Sequence, residues 1–106
     1  MNDKILGMIG LAVRAGKVAF GVFMTEKALD EGRACLVIAS EDIGASNKRK
    51  IEGKCQGYGV DLVFYSDKES LSRALGKKDV PVVAICDEGF AKAILSKLAS
   101  VKPETH

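Results

Sequence analysis

The chain has 106 residues, 47% of them apolar and 28% charged, with a formal net charge of +2. That length supplies one domain with one core, and that apolar fraction excludes a long disordered chain. The mild positive balance permits a nucleic-acid partner without demanding one, so where the charges sit matters more than their sum.

The N-terminal stretch MNDKILGMIGLAV is too short to span a membrane, and it lacks the order of a signal peptide. It reads as a first helix of a cytoplasmic protein with no membrane partner. Asn2 or Asp3 caps that helix. Ile5, Leu6, Ile9, Ala12 and Val13 recur at helical spacing and face a core. The Gly7-Met8-Ile9-Gly10 run inside this pattern reads as close helix packing. Ala15-Gly16 ends the helix, and a short strand follows over Lys17–Phe20.

A second helix is expected from Gly21 to Glu31, closed by Gly32, with Val22, Ala28 and Leu29 inward. Lys27 and Glu31 are four apart and can pair on its outer face. A helix start presents unpaired backbone N–H groups and the positive end of a dipole, which suits phosphate. The junction at Gly21 is therefore the first candidate binding site.

The apolar run Ala34–Ala39 fits a strand buried on both faces, so helices must cover both sides of the sheet. The polar loop SEDIGASNKRK leads to a third helix capped by Ser46 or Asn47. Ile51, Cys55 and Tyr58 form its inner face. Lys48, Arg49 and Lys50 then fall in its first turn, at the unfavourable end of the dipole. The cost is about a few tenths of a kcal/mol each. Either they are a solvated run with Glu52 nearby, or they await phosphate.

Val60–Tyr65 alternates as a strand. Ser66-Asp67-Lys68-Glu69 reads as a capping box. A fourth helix follows with Leu71, Ala74 and Leu75 inward and ends at Gly76. Lys77-Lys78-Asp79 is a charged turn. Val80–Cys86 is a second wholly apolar strand, with Pro81 near its start. Asp87 caps a last helix whose buried stripe is Phe90, Ala91, Ile94, Leu95 and Leu98. The expected domain covers residues 1–100, with a loose tail over 101–106. The order α-β-α-β-α-β-α-β-α predicts an α/β fold, a three-layer α-β-α sandwich with a small four-stranded mixed sheet, helix first.

Catalytic chemistry finds little to stand on. His106 is the single histidine, and no phosphate-loop or dinucleotide fingerprint is present. Glu41-Asp42 follows a buried strand, at the sheet edge where ligands bind in open α/β folds. A solvated loop and a magnesium or substrate site are both compatible with that pair. Cys35, Cys55 and Cys86 have no CxxC spacing and read as reduced, buried thiols. No cofactor is expected. Tyr58 and Phe90 fit core stripes, so a row of stacking aromatics is not expected; Phe20 and Phe23 are open. Arg14 and Lys17 flank the Gly21 junction. If helices two and three emerge beside the Lys77–Lys78 loop, a basic face results, the footprint of nucleic-acid binding.

The helix-first order, the GK–strand–G–helix junction, the SRALG helix end and the VVAICDEG strand together resemble the L-seven-Ae / L-thirty-e ribosomal protein family. Members bind kink-turn RNA. The resemblance runs over roughly Ile5 to Leu98. RAGKV, EDIGASNKRKI, KCQGYGV and ALGK are similar to the bacterial YlxQ-type branch, small proteins linked with RNA and encoded beside transcription and translation factors. The resemblance implies a non-catalytic binder of structured RNA, ribosomal RNA included, that works in translation.

The family reads RNA with Lys-Gly-x-Asn-Glu-x-x-Lys at the second helix start. Here that stretch is Phe20-Gly21-Val22-Phe23-Met24-Thr25-Glu26-Lys27. Gly21 and Lys27 match. Phe23 and Met24 stand where the family hydrogen-bonds sheared G·A pairs, which neither can do, at about 1–3 kcal/mol of discrimination each. Arg73 falls where the family often carries lysine, and Lys77-Lys78-Asp79-Val80-Pro81 is its loop over the RNA bulge. The implied RNA contacts are Lys17, Gly21, Lys27, Lys48, Arg49, Lys50, Arg73, Lys77 and Lys78. Phe23 and Met24, if exposed, make an apolar patch for a protein partner, the alternative function.

Overall fold

The structure, a computed structural model, describes residues 3–101. The Asn2 cap and residues 102–106 of the expected tail lie outside the described residues. The elements are α1 (Lys4–Arg14), β1 (Val18–Phe20), α2 (Gly21–Asp30), β2 (Leu36–Ala39), α3 (Ala45–Tyr58), β3 (Asp61–Phe64), α4 (Lys68–Leu75), β4 (Val82–Ile85) and α5 (Glu88–Val101). Helix α5 reaches Val101, so the expected tail does not begin there.

The sheet order is β1-β4-β2-β3. Strand β4 pairs antiparallel with both β1 and β2, and β2 pairs parallel with β3. Strands β1, β2 and β3 therefore run one way and β4 runs back. The sheet is mixed, and both wholly apolar strands, β2 and β4, occupy its centre with every residue buried. A central strand is covered on both faces, which is why its apolar run shows no alternation.

Alternate residues of those two strands feed two cores. Leu36, Ile38, Val83 and Ile85 meet Ile5, Ile9 and Ala12 of α1, Leu71 and Leu75 of α4, and Ala91 and Ile94 of α5. Val37, Ala39, Val82 and Ala84 meet Ala28 and Leu29 of α2 and Ile51 and Cys55 of α3. Three helices thus cover one face and two the other. The close packing expected at Gly7 and Gly10 does not require glycine: a Cβ at Gly10 would meet Ala74 O at 3.5 Å, an ordinary van der Waals contact, and one at Gly7 would meet nothing.

Several local expectations are corrected. The capping box at Ser66 does not form. Ser66 has φ +67°, and the N-cap is Asp67, whose carboxylate accepts from Ser70 N at 2.9 Å. That bond holds the Asp67 carboxyl below its ordinary range. Helix α3 starts at Ala45 on Gly44, with no side-chain cap from Ser46 or Asn47. Lys48, Arg49 and Lys50 are its fourth to sixth residues. The dipole penalty fades within one turn, so it reaches Lys48 at most. Tyr58 does not join the core; it is 51% exposed, at the end of α3. Of the cysteines only Cys55 is buried: Cys86 is half-buried and Cys35 is exposed.

Candidate nucleic-acid interface

Because β1, β2 and β3 run in one direction, their C-terminal ends share an edge with the start of β4. The β1–α2 junction at Gly21, the β2–α3 loop, the β3–α4 turn and the Lys77–Pro81 loop all meet there. A shallow cleft of about 400 Å³ confirms the convergence: Gly21, Asp42, Asn47, Lys68, Asp79 and Pro81 are among its walls.

Three helices begin at this edge, and two of them lack a side-chain cap. Helix α2 starts on Phe20 and α3 on Gly44, and neither receives a side-chain hydrogen bond. By contrast Asp3, Asp67 and Asp87 cap α1, α4 and α5, each accepting from the N–H three residues on at 2.9 Å. No carboxylate thus caps the starts of α2 and α3 beside the cleft. Gly21 takes φ +84°, and a Cβ there would meet nothing within 4 Å. Only glycine holds that backbone without strain, and it leaves the helix start open to approach.

The positive charge beside these starts is largely unpaired. Among the described residues, no carboxylate lies within ion-pair distance of Lys48, Arg49, Lys50, Lys77 or Lys78. Other candidate or nearby cations are paired: Lys27 with Glu31 at 3.3 Å, Arg73 with Glu69 at 3.2 Å and Lys68 with Asp79 at 3.7 Å. Two of the free lysines rest on aromatic rings at the edge. The Lys77 ammonium sits 4.8 Å from the Phe20 ring centre, and Lys48 sits 5.3 Å from that of Phe64. Such contacts are worth about 0.5–1 kcal/mol at exposed sites and hold both ammonium groups at the rim.

The structure does not gather every candidate at one place. Gly21, Lys48, Lys77 and Lys78 belong to the edge, and Arg49 and Lys50 follow on the second turn of α3. Lys27 lies six residues beyond Gly21, about 9 Å down α2. Lys17 precedes β1 and so stands at the opposite edge, about 10 Å away along the strand. Arg14, at the end of α1, is on that side as well. Arg73 lies on the exposed face of α4 and lines a groove of about 540 Å³ together with Lys68, Lys77 and Lys78. Lys68 was missed by the sequence reading: SDKES shows a helix start and nothing about a cleft wall.

The paired carboxylates Glu41 and Asp42 have structural partners. Asp42 accepts from Lys68 N at 2.9 Å, and Glu41 N donates to Ser66 O at 2.7 Å. Together they tie the β2–α3 loop to the start of α4. Among the described residues no group of three acidic, histidine or cysteine side chains could hold a metal. No described helix is long and apolar enough to cross a membrane.

Phe23 and Met24 are on the surface, 74% and 40% exposed. Beyond Phe23 a groove of about 420 Å³ follows the outer face of α2 toward Lys54 of α3. There Lys54 Nζ and the Tyr58 hydroxyl both donate to Asp30, at 2.8 and 2.6 Å. The Lys54 bond first, then the Tyr58 bond, holds the Asp30 carboxyl below its ordinary range.

Comparison with known proteins agrees with this architecture. The family model described as "Ribosomal protein L7Ae/L30e/S12e/Gadd45 family" matches residues 3–95. The RNA-binding protein YlxQ of Bacillus subtilis is 36% identical over 91 residues, 86% of this chain and 91% of that protein. The large ribosomal subunit protein eL8 of Cenarchaeum symbiosum is 31% identical over 108 residues, 97% of this chain and 86% of its own. A Bacillus halodurans protein of unknown function superposes with a TM-score of 0.88 at 32% identity, covering 92% of this chain and 99% of its own. The family match spans most of the chain, from the start of the first helix into the last, and it settles the kinship: the chain belongs to the ribosomal protein L7Ae/L30e/S12e/Gadd45 family.

Proposed function

We propose that this protein is a non-catalytic RNA-binding protein of the cytoplasm that docks structured RNA, ribosomal RNA foremost, on the sheet edge at the start of α2. The observation that carries the reading is the pair of uncapped helix starts beside unpaired lysines. Backbone N–H groups of Gly21 to Phe23 and of Ala45 to Asn47 offer donors to phosphate, and the helix dipoles favour the negative charge. Lys48, Lys77 and Lys78 add cations within the same rim. Arg49, Lys50 and Lys27 extend the footprint along α3 and α2, Arg73 extends it from Lys77 and Lys78 along the groove beside α4, and Lys17 would serve a longer RNA that reaches past the edge. The RNA-binding and ribosomal relatives support the same class of partner.

Binding of this kind releases counterions, so it must weaken with salt. A structured ribosomal RNA fragment, titrated at 50 and 200 mM salt, tests it. The expected result is a steep loss of affinity at the higher salt, and a shallower slope for Lys48→Ala/Arg49→Ala/Lys50→Ala and for Lys77→Ala/Lys78→Ala. Affinity that ignores both salt and these substitutions overturns the reading. Exposure of Phe23 and Met24 favours a second reading, a surface for a protein of the translation or transcription machinery.

A further inference from the structure

We infer that Phe23 is a stacking platform for an unpaired base of the bound RNA, and that this contact replaces hydrogen-bond reading at the start of α2. The inference rests on the proposed RNA reading of this edge. Phe23 is 74% exposed, the most open of the large apolar side chains among the described residues. An exposed Phe in the first turn of a helix gains nothing for the core. It stands three residues from Phe20, whose ring already carries the Lys77 ammonium. Lys27 lies four residues on, on the same face of α2 and at the same groove. A base laid on the Phe23 ring would bring its own phosphate within reach of these cations.

Size decides between a base and a protein. A stable protein interface takes about 800 Å² from each partner. A large aromatic or apolar side chain contributes about 150–250 Å² at most. Somewhat more than half of such an interface is apolar, about 450 Å² a side, and Phe23 with the 40%-exposed Met24 falls well short of it. The other exposed large apolar side chains cannot complete a patch. Leu11 lies on α1, across the sheet, Tyr58 closes the far end of α3, and Phe64 ends β3, at the other side of the sheet from β1 and beneath the Lys48 ammonium. The surroundings of Phe23 are instead charged and largely self-neutralised: in the groove below it Lys27 pairs with Glu31 and Lys54 with Asp30, with Glu26 beside them. One bare ring in a charged rim suits one π-face, and every base has one.

Stacking also supplies what the edge otherwise lacks. Phosphate contacts hold RNA without distinguishing paired from unpaired nucleotides. A ring at the helix start favours RNA in which a base is already free of its helix, because no unpairing has to be driven.

Two RNA hairpins test this: one with a purine bulge carrying 2-aminopurine, one with the same stem fully paired. The full chain should bind the bulged hairpin more tightly and quench its fluorescence. Phe23→Ala should lower that affinity by about 5- to 150-fold and abolish the quench. Its salt slope and its affinity for the paired stem should stay unchanged. Phe23→Trp should retain the binding; Phe23→Leu, apolar but without a ring, should not. If Phe23→Ala binds and quenches as the parent does while the lysine variants still weaken binding, the ring serves another partner, a protein surface included. Stacking then falls and the RNA reading stands. If neither hairpin binds in a salt-dependent way, the RNA reading falls and this inference with it.

Discussion

The Tyr58 hydroxyl donates to the Asp30 carboxylate across the packing of α3 on α2, at 2.6 Å. Lys54, one turn back on α3, donates to the same oxygen at 2.8 Å. This contact accounts for the outward position of Tyr58. It also fixes the helix that carries Phe23 against the helix that carries Lys48.

The contact has a defined pH range. Asp30 is held below its ordinary 3.8, so the stability it contributes is present above that value and drains as pH falls through the depressed one. Lys54 and Tyr58 are both raised by the same carboxylate, so their contribution is present below their ordinary 10.5 and 10.0 and is lost above. The contact therefore holds across neutral pH. Asp30→Asn should flatten the acid limb of the stability profile below about pH 4. Thermal unfolding followed from pH 2 to 7 checks it; an acid limb as steep as the parent's refutes it.

The turn at Ser66 stores strain. Its φ of +67° is left-handed, in a residue with a Cβ. Such a conformation costs about 1–2 kcal/mol. Glycine removes that cost but loses about 0.4–1 kcal/mol to its freer unfolded chain. Ser66→Gly should thus be stabilising, by up to about 1.5 kcal/mol, and Ser66→Val destabilising, because a β-branched side chain tolerates this region worst. Urea unfolding with an unchanged slope would establish both signs.

The three thiols should separate by exposure. Burial pushes Cys55 up to about 11, and Cys86 is raised by burial against the opposing pull of the Arg33 guanidinium. Cys35 is exposed. A thiol titration of the native protein near pH 8 should therefore give one fast site, one slower site and one that reacts only on unfolding. Cys35→Ser should delete the fast phase alone. A fast phase that survives it contradicts the assignment.

These residues mark where the sequence was legible. The apolar runs of β2 and β4 announced strands buried on both faces, and Ile5, Ile9 and Ala12 announced the inner face of α1, since burial leaves a direct period in the chain. Caps were read less well. Ser66 and Asp67 are both good N-caps, and only the left-handed turn at Ser66 moves the cap by one. Cys35 looked internal because it lies within the apolar run Ala34–Ala39, but β2 starts one residue later. Charge near the site was visible, whereas its grouping was not. Lys17 and Gly21 are neighbours in sequence yet lie at opposite ends of β1. Lys68 and Gly21 are far apart in sequence and share a cleft.

Ser72 shows how a core position can govern the site. It lies buried in α4, in a helix whose other inward residues are leucines. Its hydroxyl accepts from Val80 N at 2.8 Å and donates to Val80 O at 3.2 Å. A single side chain thus satisfies both backbone groups at the end of the Lys77–Asp79 loop and anchors that loop to α4. Ser72→Ala leaves both groups buried without that partner, at a cost of about 1–3 kcal/mol. The loop should also loosen, so that Lys77 no longer keeps its place over the Phe20 ring. RNA affinity should then fall at constant net charge, with Lys48, Arg49 and Lys50 untouched. Ser72→Thr keeps the hydroxyl and should retain more of both properties. Chemical denaturation and RNA titration of the two variants at one salt concentration separate the effects. Lower stability with unchanged affinity would show that the anchor serves the core alone; a fall in both would tie the loop's position to binding.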